Sequence, residues 1–98
     1  MAEVVWTEEA DRSLLKIHDY IASQSPQNAF TVVESVYRRA QILATFPDLG
    51  HRHTTASGRE VRILLWGHYR VVYLVRPDDE VHIVGVFHGA MQFEEYLK

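Results

Sequence analysis

Apolar side chains recur at the period of an α-helix in two consecutive segments of the first half of the chain. The first segment has spacings of four, three and four, at Ala10, Leu14, Ile17 and Ile21. The second repeats this rhythm at Ala29, Val33, Val36, Ala40 and Leu43. Each pattern predicts an amphipathic helix. Thr7 is placed to cap the first helix, and Ser25 with Pro26 to begin the second. Because the connection is short, we expect an antiparallel helical hairpin.

The hydrophobic period becomes strand-like in the second half of the chain, after a polar loop over residues 47–58. Residues 59–65 alternate between apolar and polar, and residues 69–75 and 81–87 are rich in β-branched and aromatic side chains, which predicts three strands. Hairpin-length connections separate them. A brief β-prone run at residues 4–6 supplies a first strand. The order β-α-α-β-β-β predicts an α+β fold, with the N-terminal strand and helical hairpin packed on one face of a small, mainly antiparallel sheet.

The last two predicted strands are apolar on both faces. An antiparallel sheet with one solvated face shows a cleaner alternation, and the helical hairpin covers only one face. The other face is predicted to bear Val72, Leu74, Val84 and Val86 or their neighbours, and it needs a cover. Since only a short tail follows these strands, we predict that a partner protein covers this face. A homodimer of the free protein through the same face is the alternative.

Composition restricts the function classes that are open to the chain. Its 98 residues, 47% hydrophobic and 23% charged, suit one globular domain over residues 1–98. There are no cysteines for a disulfide or a thiolate, and the net charge is −3, whereas nucleic-acid binders usually carry a basic surplus. We expect no membrane span, no secretory signal and therefore a cytoplasmic protein. His51 and His53 lack a third ligand nearby, so neither a metal site nor a cofactor is predicted.

Five segments together resemble the toxins of the RelE/ParE superfamily. They are residues 6–14 (WTEEADRSL), 46–52 (FPDLGHR), 61–64 (VRIL), 69–73 (YRVVY) and 83–91 (IVGVFHGAM). Each segment alone is a weak signal, but their order along nearly the whole chain is fairly specific. The resemblance implies the β-α-α-β-β-β fold, a growth-inhibiting activity in bacteria and neutralisation by a cognate antitoxin. Such antitoxins wrap the toxin with a tail that supplies a helix and sometimes an added strand.

The superfamily divides by target, and the resemblance leaves two targets open. RelE-type members cleave messenger RNA on the ribosome, whereas ParE-type members share the fold, inhibit DNA gyrase and lack the nuclease residues. Cleavage of RNA needs a base, an acid and cations for the phosphate charge. The residues available for those roles are Arg59, Arg62, Arg70, His88 and Tyr96. If the chain is an RNase, its resemblance to the nuclease branch implies that Arg62, Arg70 and His88 form the catalytic set.

Two absences favour the ParE-like branch. Lysine occurs only at Lys16 and Lys98, so the lysine-rich strand of RelE is missing, and the chain does not end in the catalytic His-Tyr pair of nuclease relatives. We therefore predict a toxin that acts by binding DNA gyrase and has no catalytic residues. The candidate contacts with target or antitoxin are Arg59, Arg62, Tyr69, Arg70, Val72, Leu74, Val84, Val86, His88 and Tyr96. The alternatives are a ribosome-dependent mRNA endonuclease and a non-toxic interaction module.

Overall fold

The computed structural model describes residues 1–89, so the candidate Tyr96 lies outside the described residues. The elements are β1 (Glu3–Trp6), α1 (Glu8–Ala22), α2 (Pro26–Gln41), a short 3-10 helix (Ile42–Ala44), β2 (His51–Thr54), β3 (Glu60–Trp66), β4 (Tyr69–Val75) and β5 (Glu80–His88). The predicted α+β fold is confirmed. Within the described residues no helix is both long and apolar enough to cross a membrane.

Both helices begin where the sequence predicts. The Thr7 hydroxyl oxygen accepts a hydrogen bond from the Ala10 amide at 3.1 Å and donates one to the Ile83 carbonyl at 2.7 Å. The Ser25 hydroxyl accepts from the Asn28 amide, and Pro26 occupies the first turn of α2. These bonds satisfy amide groups that a helix start leaves without partners. The second bond of Thr7 also fastens the start of α1 to β5.

The five strands form one sheet in the order β1-β5-β4-β3-β2. β1 pairs with β5 in parallel, and the other neighbouring strands are antiparallel. The strand β2 lies in the segment that the sequence analysis assigns to a polar loop. Of the described strands, only β3 pairs with its four residues, His51–Thr54, which contain no apolar side chain. A short polar strand is typical of a sheet edge, and it carries no hydrophobic alternation by which it could be recognised.

The main core lies between the helical hairpin and one face of the sheet. Leu14 and Ile17 of α1 and Val36 of α2 pack there with strand residues that include Val71, Tyr73 and Ile83. The rings of Trp6 and Tyr37 pack against each other at its margin in a tilted arrangement, with centroids 4.4 Å apart. The helical stripes therefore cover one face of the sheet, as the sequence predicts. We call this the helix side of the sheet.

Among residues 1–89, a second cluster of buried side chains comes from three strands. Val61, Ile63, Val72, Val84 and Phe87 form it, and Leu74 packs against them. The sheet is therefore apolar on both faces, as predicted. Val86 was expected in this group, but it lies on the helix side. The reason is a register irregularity between Val72 and Tyr73: Val72 pairs with Gly85 and Tyr73 with Ile83, so Val84 is an extra residue and the alternation shifts.

Candidate functional site

Arg62 is bound into the loop that follows the 3-10 helix. Its Nη1 donates to the carbonyl oxygens of Gly50 at 2.6 Å and Asp48 at 3.1 Å. Its Nη2 lies 3.5 Å from the Asp48 carboxylate, and only 19% of the Arg62 side chain is exposed. Arg62 is both a catalytic candidate and a candidate target contact from the sequence. In the structure these bonds hold its guanidinium against the loop over residues 48–50.

Tyr73 is the cross-strand partner of Arg62 and contacts the same loop. Its side chain is fully buried; the hydroxyl donates to the Pro47 carbonyl at 2.7 Å and accepts from the Gly50 amide at 2.8 Å. Burial raises the pKa of Tyr73, while the Gly50 hydrogen bond and the Arg62 charge oppose the rise. Arg62 and Tyr73 therefore act as a pair that fixes residues 47–50 against the sheet. The sequence analysis missed Tyr73, because strand period alone marks it only as a packing residue.

The three residues of the predicted RNase set do not come together on one surface. Arg62 lies on the helix side beside Tyr73. Arg70 pairs with Phe87 and therefore lies on the opposite face, whereas His88 pairs with Tyr69 on the helix side. Paired residues share a face and adjacent residues do not. The described residues thus give no support to a joint catalytic role of Arg62, Arg70 and His88.

Two of those residues do lie at the same end of the sheet, where a polar and aromatic group collects. We define the hairpin-end cluster as His68, Tyr69, Arg70 and His88, around the β3–β4 turn and the end of β5. The His68 and His88 rings stack with centroids 6.1 Å apart, and Tyr69 meets His88 edge-on at 5.7 Å. The Gly89 amide donates to the His68 carbonyl at 2.6 Å, which joins β5 to the turn.

The hairpin-end cluster lines a surface cavity of about 320 Å³ together with Leu65 and the glycines at positions 67 and 89. His68 is a member that the sequence analysis assigned only to a turn. Its local sequence gives no functional signal, because its neighbour His88 is twenty residues away along the chain. The cluster offers imidazoles, a phenol and a guanidinium beside exposed apolar surface on Leu65 and Trp66, a combination that binding surfaces favour.

Charge is distributed unevenly along the sheet. Within residues 1–89, the carboxylates carried on strands are Glu3, Glu60 and Glu80; Glu3 pairs with Glu80, and Asp78 and Asp79 lie in the turn just before it. We call this the acidic end. The opposite end holds the hairpin-end cluster and Arg39, whose guanidinium carbon lies 5.5 Å from the Trp66 ring centroid. Arg59 and Arg76 offset part of the negative charge at the acidic end, but the hairpin end of the sheet carries no strand carboxylate within residues 1–89, so the two ends differ in charge.

A larger groove runs along α1, on the helix side of the sheet. Its volume is about 640 Å³, and residues at helical spacing line it, among them Arg12, Lys16, Ile17, Tyr20 and Ile21. Tyr69 and His88 close its other wall. The side chain of Tyr20 is conspicuous because the residue is 73% exposed. The α1 groove is thus an apolar channel whose rim carries the cations Arg12 and Lys16 and the carboxylate of Glu9, and it adjoins the hairpin-end cluster through Tyr69 and His88.

The second sheet face does not present the open apolar surface that the sequence analysis expects. Val72 is 0% and Val84 2% exposed, so neither contacts a partner without a rearrangement; Leu74 is half-buried. Arg59 also lies apart from the hairpin-end cluster. Its backbone exchanges hydrogen bonds with Thr55, from the Thr55 amide at 2.8 Å and to the Thr55 hydroxyl at 3.0 Å. Arg59 thereby closes the turn between β2 and β3.

His51 and His53 lie on the polar edge strand β2, opposite Ile63 and Val61 of β3. They point to the same side of the sheet as those partners. Among the residues that the structure describes, no group of three or more histidines, cysteines or carboxylates is placed to hold a metal ion.

Comparison with known proteins identifies relatives over nearly the whole chain. A family model described as the ParE toxin of type II toxin-antitoxin system, parDE, matches residues 4–93. The curated protein Toxin RelE2 of Caulobacter vibrioides is 39% identical over 90 residues, which are 92% of this chain and 98% of that protein. The chain therefore matches a family model named for ParE and a curated protein named for RelE.

Two solved structures share the fold. The chromosomal ParDE toxin–antitoxin system of P. aeruginosa superposes with a TM-score of 0.71 at 21% identity, covering 90% of this chain and 96% of that one. The RelBE2 toxin–antitoxin complex of Mycobacterium tuberculosis gives a TM-score of 0.59 at 24% identity, covering 89% and 96%. Both neighbours come from toxin–antitoxin pairs.

Proposed function

Because the chain belongs to the ParE toxin family of type II toxin–antitoxin systems, we propose that it arrests bacterial growth by binding DNA gyrase. In this proposal the toxin carries out no chemistry of its own, and a cognate antitoxin neutralises it. The observation that supports binding over catalysis is the position of Arg62. Its hydrogen bonds at 2.6 and 3.1 Å to the loop carbonyls hold Arg62 away from Arg70 and His88, the other two residues of the nuclease set.

The hairpin-end cluster is the surface that we assign to the target. It combines cations with exposed apolar side chains, since Leu65 is 58% and Trp66 41% exposed. Aromatic and arginine side chains contribute most to the affinity of protein interfaces. A cationic end on a protein of net charge −3 also orients the molecule as it approaches an acidic partner surface. Both properties suit a toxin that inhibits by occupying a site.

The direct test is DNA supercoiling by purified gyrase in the presence of purified toxin. We expect inhibition by the unaltered toxin and weaker inhibition by Arg70→Ala. Arg76→Ala is the matched control, because Arg76 is exposed in the turn at the acidic end of the sheet. Gyrase that stays fully active at a large excess of toxin would exclude this target. Growth arrest on expression without antitoxin tests the toxin activity separately.

The second candidate function is that of a ribosome-dependent mRNA endonuclease. It is favoured by one finding, the 39% identity to a protein named Toxin RelE2. Arg70 and His88 would then act from the hairpin-end cluster without Arg62. Primer extension on translated messages after toxin induction distinguishes the two functions. Cuts in phase with codons that disappear in Arg70→Ala or His88→Ala support the nuclease, and uncut messages in arrested cells support gyrase.

We assign the α1 groove to the antitoxin. An apolar floor formed by Ile17 and Ile21, with Arg12 on the rim, suits an antitoxin segment that carries apolar and acidic side chains side by side. Tyr20→Ala should weaken antitoxin binding about tenfold or more, as loss of an exposed aromatic anchor does. Leu15→Ala is the control, because Leu15 is 57% exposed on the same helix but does not line the groove. Equal affinities of the two variants in calorimetry would refute this site.

A further inference from the structure

Arg39, in the last turn of α2, lies against Trp66 at the end of β3. Its guanidinium carbon is 5.5 Å from the centroid of the Trp66 ring, a distance at which a cation is attracted to the face of an indole. Side chains two residues apart on a strand share a face, so Trp66 lies on the helix side of the sheet with the core residue Leu64. We call these two side chains the Arg39–Trp66 pair.

The contacts of Arg39 do not explain why this position carries an arginine. Its Nε is buried and has no hydrogen-bond acceptor among residues 1–89. A buried N–H without an acceptor destabilises the fold, whereas a methionine packs on an aromatic ring without that penalty. The adjacent Arg38 differs, because it forms an ion pair with Glu34 one turn earlier in α2. Packing on Trp66 therefore disfavours the guanidinium that the chain carries at Arg39.

The terminal Nη atoms of Arg39 are the part of its side chain that another molecule reaches. Within residues 1–89, the Arg39 Nε is the one side-chain nitrogen or oxygen that is buried without a partner, so the Nη atoms extend beyond it to the surface. A guanidinium is planar, and its paired N–H groups match the two oxygens of a carboxylate. Packing on Trp66 restricts the rotamers of Arg39 before a ligand arrives, so less entropy is lost on binding.

We propose that the Arg39–Trp66 pair is a subsite that binds one carboxylate side chain, an aspartate or a glutamate, of the target protein. The carboxylate oxygens accept hydrogen bonds from the Arg39 Nη atoms, and the methylene groups of the same side chain lie against the indole, which is 41% exposed. This inference deepens the proposed function and rests on its premise that the toxin acts by binding a protein.

The position of the pair favours the target over the antitoxin. Trp66 pairs with Tyr69 across β3 and β4, so the subsite continues the hairpin-end cluster that we assign to the target. Neither Arg39 nor Trp66 lines the α1 groove that we assign to the antitoxin. A nucleic-acid backbone is a poorer ligand, because a chain with a net charge of −3 lacks the basic surplus that binds a polyanion, whereas one carboxylate needs one guanidinium.

The experiment compares Arg39→Met with Arg38→Met, which removes the same charge at the adjacent position. Arg39→Met keeps a long side chain on Trp66 and removes the unpaired N–H, so its melting temperature should equal or exceed that of the unaltered toxin. Its inhibition of supercoiling by purified gyrase should nevertheless fall about tenfold or more, as loss of an arginine anchor does. Arg38→Met should change inhibition less than about twofold, because Arg38 is 79% exposed. Arg39→Lys should also weaken inhibition, because an ammonium does not form two parallel bonds to a carboxylate.

Growth arrest on expression without antitoxin repeats the comparison for any target. If gyrase is unaffected by the unaltered toxin but Arg39→Met arrests growth at least about tenfold less than Arg38→Met, the gyrase assignment fails and the subsite stands. Equal arrest by the two variants at equal amounts of folded toxin would overturn the subsite. So would a melting temperature of Arg39→Met that falls together with its inhibition, because Arg39 then serves the fold. Unchanged arrest with weaker antitoxin binding in calorimetry, or loss of binding to a single-stranded oligoribonucleotide, would overturn it in favour of those ligands.

Discussion

At the scale of single residues, the buried hydroxyl of Tyr73 joins strand β4 to the loop over residues 47–50. It bridges the Pro47 carbonyl and the Gly50 amide at 2.7 and 2.8 Å. Tyr73→Phe removes the bridge and leaves two buried polar groups without partners, so we expect a loss of about 2–4 kcal/mol of unfolding free energy. Urea denaturation measures it. Tyr20→Phe is the control, since Tyr20 is 73% exposed; equal stabilities of both variants would contradict the bridge.

The same tyrosine predicts how stability depends on pH. Burial raises the pKa of Tyr73 above its ordinary value near 10.0, so the folded state holds the phenolic proton more tightly than the unfolded state. The stabilisation is complete below the unfolded pKa and is lost as pH rises toward the folded pKa. We expect the stability difference between the unaltered chain and Tyr73→Phe to shrink above pH 10. A difference that stays constant from pH 8 to 11 in urea titrations would show that Tyr73 is not responsible.

Arg62 binds the same loop as Tyr73, so a substitution at Arg62 can show whether this residue serves stability or target binding. Arg62→Ala removes two hydrogen bonds to loop carbonyls and should lower the unfolding free energy by about 1–3 kcal/mol. If Arg62 only stabilises the fold, the Arg62→Ala toxin that remains folded at low temperature should inhibit its target as strongly as the unaltered toxin. Arg52→Ala serves as the comparison, since Arg52 is exposed on the adjacent strand β2. Loss of inhibition by a fully folded Arg62→Ala protein would restore Arg62 as a target contact.

At the scale of elements, Ser13 joins α1 to the irregular part of β5. Its hydroxyl donates to the Ala10 carbonyl and accepts from the Val86 amide, both at 2.8 Å. The Val86 amide lies two residues beyond the extra residue Val84 in β5, and Ser13→Ala leaves it without this bond. We expect a cost of about 1–3 kcal/mol and faster hydrogen exchange at Val86. Unchanged exchange there would mean that the helix does not hold this part of the strand.

The elements show where sequence patterns suffice and where they fail. Caps, helical stripes and the three long strands were predicted because each is encoded by neighbours within a few residues. The edge strand β2 was missed because its polar residues carry no period. The displacement of Val86 to the helix side depends on the pairing of Val72 with Gly85, and a register irregularity has no local signature. The ring of Phe87 lies so close to Gly85 that a side chain there would collide with it.

The candidate site was less accessible to prediction than the fold. Arg70 and His88 were identified through the family resemblance, but their faces depend on strand register. His68 became a candidate only when the structure stacked it on His88 at 6.1 Å. The loop contacts of Arg62 were equally hard to foresee, because its partners Asp48 and Gly50 are twelve or more residues away along the chain. A site assembled from distant residues needs the three-dimensional pairing.

At the scale of the whole molecule, the sheet has an acidic and a cationic end, and this polarity sets the orientation in which a target is met. Glu3 and Glu80 pair at one end, and the hairpin-end cluster occupies the other. An acidic partner surface is therefore attracted to one end and repelled by the other. Such steering acts mainly on the association rate and weakens with ionic strength.

Matched neutralisations at the two ends test this polarity. Arg70→Gln removes a cation from the hairpin-end cluster, and Asp79→Asn removes an anion from the acidic end at a position whose φ of 64° asparagine also adopts. For the first variant we expect about tenfold weaker inhibition of supercoiling, and for the second less than about twofold change. Raising the salt concentration should reduce inhibition by the unaltered toxin more than by Arg70→Gln. Equal effects of the two neutralisations, or inhibition independent of salt, would show that the target is not bound through the cationic end.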